Sequence, residues 1–287
     1  MATPGRLVIS QDLLKILGKM YLAGFGRRRA FFLAQPMDQI AATAASGLRS
    51  RMEALDILSN NLANSNTGGY KVDREFYSLY QGEQATPADG QQATTLPVIQ
   101  KAWTDFQQGL LTPTGNPLDL ALEGKGFFAV DGPSGPLYTR NGAFKLSTTG
   151  VLTTLDGFPV RGVSPANAPP KKIQTVSQGP IQIASDGTVQ QDGQDLGQIQ
   201  LVNFANTSVL DKMGSSYFRV TDPKIKGTPA TDATVSQGKV ENSNSAPAES
   251  AVRLVDLMRQ YEMLQKAVTL SGEMSKEAID QVARVGG

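Results

Sequence analysis

Neither cysteine nor histidine occurs anywhere in the 287 residues. Without cysteine there is no disulfide framework, no thiolate nucleophile and no cysteine-ligated zinc or iron–sulfur centre. Without histidine the commonest general base, the Ser-His-Asp triad and imidazole metal ligands are excluded as well. Any catalysis would rest on carboxylate, lysine, tyrosine or cofactor chemistry. Long apolar runs are also missing: none approaches the roughly 18–20 residues that a membrane-spanning helix needs. Charge of one sign is not in excess, with 27 basic against 26 acidic residues. No bulk field therefore draws the chain to nucleic acid or anionic lipid. What is present, 40% hydrophobic and 18% charged residues, suffices for a packed core.

The balanced charge hides an asymmetry. Residues 1–36 carry six basic side chains (Arg6, Lys15, Lys19, Arg27, Arg28, Arg29) against Asp12 alone. The Arg27–Arg29 cluster follows the apolar stretch Leu13–Phe25, the reverse of the order in a secretory signal, and Lys15 and Lys19 interrupt that stretch. The segment reads as a disordered extension upstream of a start at Met37. A basic helix lying on a membrane surface is the alternative.

Beyond it the periodicity changes twice. From Asp38 to Ala63 the pattern is helical. Leu48, Leu55 and Leu62 lie seven apart, with Ala44, Arg51 and Leu58 interleaved. That is a narrow seam of coiled-coil type. Asn60, Asn61, Asn64, Thr67, Gly68 and Gly69 then stop the helix, because asparagine competes for backbone hydrogen bonds and glycine is free to take positive φ. From about Leu96 to Val235 short period-two runs alternate with turn dipeptides such as Asp156-Gly157, Asp186-Gly187 and Asp192-Gly193. This is the signature of an all-β, hairpin-rich domain. Helix returns after Ser245, the expected N-cap, with Pro247 in the first turn. Leu254, Leu257, Tyr261, Leu264 and Val268 step by three and four, a second narrow seam.

The expected fold is α+β: terminal coiled-coil-like helices, packed together, bracket a central β-domain. The divisions are 1–36 extension, 37–66 N-terminal helix, 67–95 linker or extended segment, 96–235 β-domain, and 236–287 joint and C-terminal helix. The two seams can bury against each other or against helices of other subunits. Their residues (Ala44, Leu48, Leu55, Leu58, Leu62, Leu254, Leu257, Tyr261, Leu264, Val268) are the candidate subunit interface.

Four stretches resemble a known family. Ser59-Asn60-Asn61-Leu62-Ala63-Asn64 followed by Thr67-Gly68-Gly69-Tyr70-Lys71 is similar to the signature that ends the N-terminal helix of bacterial flagellar rod and hook proteins. Pro117–Phe128, with Gly124, Gly126, Phe127 and Phe128, resembles that family's central motif. So does Tyr138-Thr139-Arg140-Asn141-Gly142-Ala143-Phe144, and Val255–Glu262 resembles its closing helix. The compact length and the C-terminal helix are most similar to the proximal rod subtype, then to the distal one. Gly68-Gly69 and Ser243 depart from the family pattern, and residues 1–36 have no counterpart in it. The resemblance implies a structural subunit that polymerises through its terminal helices into the axial drive shaft for motility, with the β-domain outside. It further implies passage through the flagellar export apparatus without a cleaved signal, residence in the periplasm-spanning rod, and contact with its own copies, other rod subunits and hook–basal-body components.

Other motifs favour no ligand. Gly124-Lys125-Gly126-Phe127-Phe128-Ala129 fits a loose dinucleotide fingerprint, but an apolar strand follows where a helix would have to open. Asp119, Glu123 and Asp131 are close in sequence and suggest, as an alternative function, a secreted carboxylate-dependent glycan hydrolase. A non-flagellar β-rich adhesin with a coiled-coil stalk is the third reading. Trp103 reads as a packing anchor. The expectation is no catalytic residue, no cofactor, no metal, no nucleic acid and no small-molecule substrate.

Overall fold

The computed structural model describes residues 44–81, 95–165, 171–176, 179–222 and 224–285. The extension 1–36 and the start of the N-terminal helix lie outside them. Helix α1 occupies residues 44–63 and helix α2 Pro247–Val285, and the β-rich region lies between them in sequence. The chain divides into two units. One comprises the described residues within 1–53, 77–99 and 257–287; the other comprises 54–76 and 100–256.

In the first unit the Cα of Gly47 on α1 faces the methyls of Leu264 on α2, so closely that an added Cβ would touch Leu264 Cδ1 at 3.4 Å. The described α2 residues that escape full exposure are Ser250, Leu254, Leu257, Gln260, Tyr261, Leu264, Val268, Ser271 and Ser275, which follow the three-four spacing. The helix continues through Gly272 to Val285 without a break. On α1 the most buried positions are Ala44, Ser50, Ala54, Leu58 and Asn61, while Leu48, Leu55 and Leu62 are half-buried on the flank. Gly47, against Leu264, and the fully buried Ala54 each lie one residue before a leucine of the expected row.

The second unit holds most of the β structure. A six-stranded antiparallel sheet runs in the order Leu210–Met213, Tyr217–Val220, Gly135–Thr139, Phe127–Gly132, Leu201–Asn203, Thr228–Pro229. Phe127-Phe128-Ala129-Val130 is continuously apolar because both faces of this sheet are covered. Phe127 and Ala129 face a cluster with Tyr138, Val202, Phe204, Leu210 and Phe218. Phe128 and Val130 face the larger core with Leu120, Leu122, Phe144, Leu152, Ile173 and Ile199. Thr188–Gln191 and Gln194–Gln198 are joined by Asp192-Gly193, both at positive φ, as a two-residue hairpin turn requires.

Several elements differ from the expectation. Asp73–Gln81 and Thr95–Thr104 pair as a two-stranded ribbon within and beside the stretch expected to be a linker or extended segment. Leu111–Pro113, Leu120–Glu123, Thr234–Gln237 and Lys239–Glu241 are further strands not read from the sequence. They pair 239–241 with 111–113 and 234–237 with 120–123, across more than a hundred residues. α2 begins at Pro247, so Ser245 is not its cap; the Ser245 N–H donates to Ser243 Oγ, and Ser245 Oγ is buried without a partner among the described residues. Trp103 is 48% exposed and not a packing anchor; Phe106 fills that role, stacked at 5.0 Å from Phe218 and 5.5 Å from Phe127.

Candidate functional site: a buried ionic joint

The residues that end α1 and those that precede α2 meet on the β-domain, all within the second unit. The Asn-rich tail of α1 is closed by its own side chains: Asn64 Nδ2 donates to Asn60 Oδ1 (2.8 Å), and Thr67 Oγ1 to Asn64 Oδ1 (3.3 Å). Leu62 contributes its carbonyl to the Ser65 N–H, and Ala63 is exposed. Asn61 is the hub. Its Oδ1 accepts from Tyr70 Oη (3.0 Å) and from the Asp73 N–H (3.0 Å), while its Nδ2 donates to the Asp73 carbonyl (2.8 Å). The chain thus turns back on the helix it has just left. Lys212 Nζ lies 3.9 Å from the Tyr70 ring centroid and donates to the Lys71 carbonyl and to Asp73 Oδ2. Burial first, and the Asp73 charge second, push the Tyr70 phenol well above the ordinary tyrosine range.

Gly69 permits the turn. Its φ is +65°, and a Cβ there would overlap the Arg140–Asn141 peptide. Its N–H donates to the Glu241 carbonyl at 2.7 Å. Next to it Lys71 and Glu241, both with fully buried side chains, pair at 2.5 Å. Arg140 reaches the other carboxylate oxygen at 3.3 Å and is itself nearly buried. Remaining donors and acceptors are largely matched. Lys71 Nζ also donates to the Gln107 carbonyl, the Gly109 N–H donates to Glu241 Oε1, and Arg140 Nη2 donates to the Gly124 carbonyl at 2.7 Å. The guanidinium lies 5.4 Å from the Phe127 ring centroid. Desolvation holds both Lys71 and Arg140 below their ordinary pKa ranges, against the opposing pull of Glu241. Asn244 completes the closure: it accepts from the Val72 N–H and donates to the Asp105 and Gln107 carbonyls.

The motif residues therefore have structural tasks. Gly124, at φ +99°, and Gly126 shape the turn that leads into the Phe127 strand, so the dinucleotide reading has no helix to rest on. Phe128 packs edge-to-face on Phe144, and Tyr138 on Phe204. Thr139 Oγ1 donates to the Ser216 carbonyl, and the Gly142 carbonyl accepts from the Leu120 N–H. The three carboxylates weighed for hydrolysis are each engaged separately: Asp119 by Thr114 and Asn116, Glu123 by Ser236 and Lys239, Asp131 by Arg161. Of the candidate interface residues, Ala44, Leu58 and Leu257 are buried; Leu48, Leu55, Leu62, Leu254, Tyr261, Leu264 and Val268 are half-buried. Glu241, Asn244 and Lys212 were not legible as site residues. Their partners lie some 140–170 positions away and no local pattern marks them.

Three family models match, in order along the chain: "Flagella basal body rod protein" over residues 42–71, "Flagellar hook protein FlgE/F/G D1 domain" over 121–191, and "Flagellar basal body rod FlgEFG protein C-terminal" over 236–281. Lys71, Arg140 and Glu241 fall one in each matched segment. The flagellar basal-body rod protein FlgF of Caulobacter vibrioides is 32% identical over 251 residues, 87% of this chain and 100% of that protein. FlgG of Buchnera aphidicola is 32% identical over 80% of this chain and 94% of its own length, and FlgG of Bacillus subtilis 31% over 82% and 96%. Segments matched in the same order, relatives covered almost end to end, and motif residues that build one joint lead to a single conclusion: the chain belongs to the bacterial flagellar basal-body rod and hook family.

Proposed function

We propose that this rod subunit assembles through two different sides of α2. One side is the seam of Leu254, Leu257, Tyr261, Leu264 and Val268, whose coiled-coil-like contacts lie partly within the chain, where Leu264 covers Gly47. The other is a stripe of Val252, Met263, Leu270 and Met274, each 50% exposed or more. At 100° per residue this stripe is centred about 150° around the helix from the seam. A helix that only had to pack on its own chain would be polar there. Large apolar side chains on the second side are the observation that carries the reading, since exposed apolar patches mark surfaces meant to be covered.

In this reading the neighbours are copies of the chain and other rod and hook–basal-body components, and the β-domain lies outside the helices. The protein is a structural element of the flagellar basal body and not an enzyme, an inference that follows from its family. Export through the flagellar apparatus without a cleaved signal, the proximal position in the rod, and the division into 37–66, 67–95, 96–235 and 236–287 belong to the same proposal. The test is the pair Met263→Glu with Leu270→Glu. Both sites are exposed, so the isolated subunit should keep its helix content and urea midpoint. It should nevertheless disappear from purified basal bodies and leave cells unable to swim. Incorporation and swimming at the parental level would refute the assignment. Leu257→Asp and Leu55→Asp, in the seam, should instead lower the stability of the isolated subunit, because a carboxylate there loses its hydration.

A further inference from the structure

The joint is unbalanced in charge. Two buried cations, Lys71 and Arg140, face one buried carboxylate, Glu241. Asp105, also buried, adds a smaller favourable charge to the Lys71 ammonium, but its carboxylate is itself engaged by Arg74 and by the Gln107 N–H. Arg140 Nε has no partner among the described residues. The positive charge of Arg140 acts on Lys71 directly and disfavours its ammonium form. Both cations belong to the first half of the chain, whereas their common anion arrives 170 residues after Lys71 and 101 after Arg140. The carboxylate also comes on the strand that closes the domain, Lys239–Glu241 paired with Leu111–Pro113, only six residues before α2 begins.

We propose that the Lys71–Arg140–Glu241 triad is a chain-closure latch. Until Glu241 is delivered, the turn after α1 cannot seat on the Arg140 loop, because doing so would bury two like charges without the carboxylate that contacts both. Once Glu241 arrives, a single carboxylate pairs with both cations through its two oxygens, receives the Gly109 N–H, and brings its own carbonyl to Gly69. The end of α1 and the approach to α2 are then fixed to the β-domain in one step. A subunit with this device keeps its joint open until nearly all of its chain is available. The inference goes beyond the assembly role and concerns the isolated subunit, so it stands or falls independently of polymerisation.

The latch predicts an asymmetry that ordinary contact loss does not. Removing the anion strands two cations, whereas removing Lys71 leaves a matched Arg140–Glu241 pair. The Gln107 carbonyl would also keep the Asn244 donor, and Glu241 Oε1 the Gly109 donor. The experiment is amide hydrogen exchange on the full chain, followed by mass spectrometry, for Glu241→Gln, Lys71→Met and the double variant. In Glu241→Gln, peptides covering 67–73 and 105–110 should lose about 100- to 1,000-fold of their protection. The strands at 127–139 should change little. Lys71→Met should cost the joint about 10-fold or less. The double variant should be better protected than Glu241→Gln alone, a sign reversal that only relief of stranded charge produces. Equal damage from Lys71→Met and Glu241→Gln, unchanged protection in Glu241→Gln, or a double variant no better than it would each overturn the latch. If Glu241→Gln does not fold at all by circular dichroism, folding of the double variant supports the latch and its failure overturns it.

Discussion

Replacing Gly69 by alanine separates two costs that are usually confounded. Gly69 and Gly115 both have left-handed φ, +65° and +74°, but they differ in surroundings. No described residue lies within 4 Å of a Cβ built at Gly115, whereas at Gly69 the Cβ would fall on the Arg140–Asn141 backbone. Gly115→Ala should therefore cost only the left-handed penalty, about 1–2 kcal/mol. Gly69→Ala adds overpacking against an atom group that cannot rotate away, about 1–3 kcal/mol more. The backbone shift would also stretch the Gly69 bond to the Glu241 carbonyl. The assay is urea unfolding with the slope compared between variants, together with exchange of peptides covering 67–73 and 240–245. Gly69→Ala should expose both peptides and lower the midpoint by more than Gly115→Ala, which should leave the joint peptides protected. If the two substitutions prove equivalent, the close approach of the post-helical turn to the Arg140 loop does not exist in solution.

Two further expectations follow from burial. Phe128→Ala removes a fully buried ring stacked edge-to-face at 5.2 Å on Phe144 and should destabilise the β-domain by about 3–5 kcal/mol, read as a lower urea midpoint at unchanged slope. Tyr70 and Tyr217 both have phenols raised above their unfolded value of 10.0, each chiefly by desolvation, with the Asp73 charge also acting on Tyr70 and the hydrogen bond to Asp156 on Tyr217. The unfolded chain releases these protons first, so their contribution is intact below about pH 10 and stability falls as pH rises beyond it. Phenolate absorbance should then show part of the tyrosine set ionising only together with unfolding. Independent titration of all tyrosines in a still-folded protein would contradict this.

Much of the helical organisation could be read directly. The α2 seam appears in the structure with the spacing the sequence shows, because both carbon skeleton and helix repeat locally, every three or four residues. The stop after Ala63 could be read for the same reason: Asn60, Asn64 and Thr67 satisfy one another within about two turns of chain. On α1 the deepest line ran instead through Ala54 and Leu58, beside the leucine row, since leucine size says how much can be buried and not how closely two backbones approach. Strands such as Lys239–Glu241 and Thr234–Gln237 were missed because their apolar alternation is weak. What holds them is a partner strand more than a hundred residues away.

The sequence by itself determined that helices flank a β-rich region, where the first helix stops, which turns take glycine, the absence of thiol and imidazole chemistry, and, through its motifs, the family. Those features are local, set by side-chain periodicity and backbone freedom within a few residues. Only the tertiary structure decided that Lys71, Arg140 and Glu241 form one site, that Asn61 and Asn244 stitch the two ends together, and that Val252, Met263, Leu270 and Met274 of α2 are exposed. Charge pairing in a buried joint depends on which groups the fold brings within reach and strips of water, and a linear order of residues does not contain that distance.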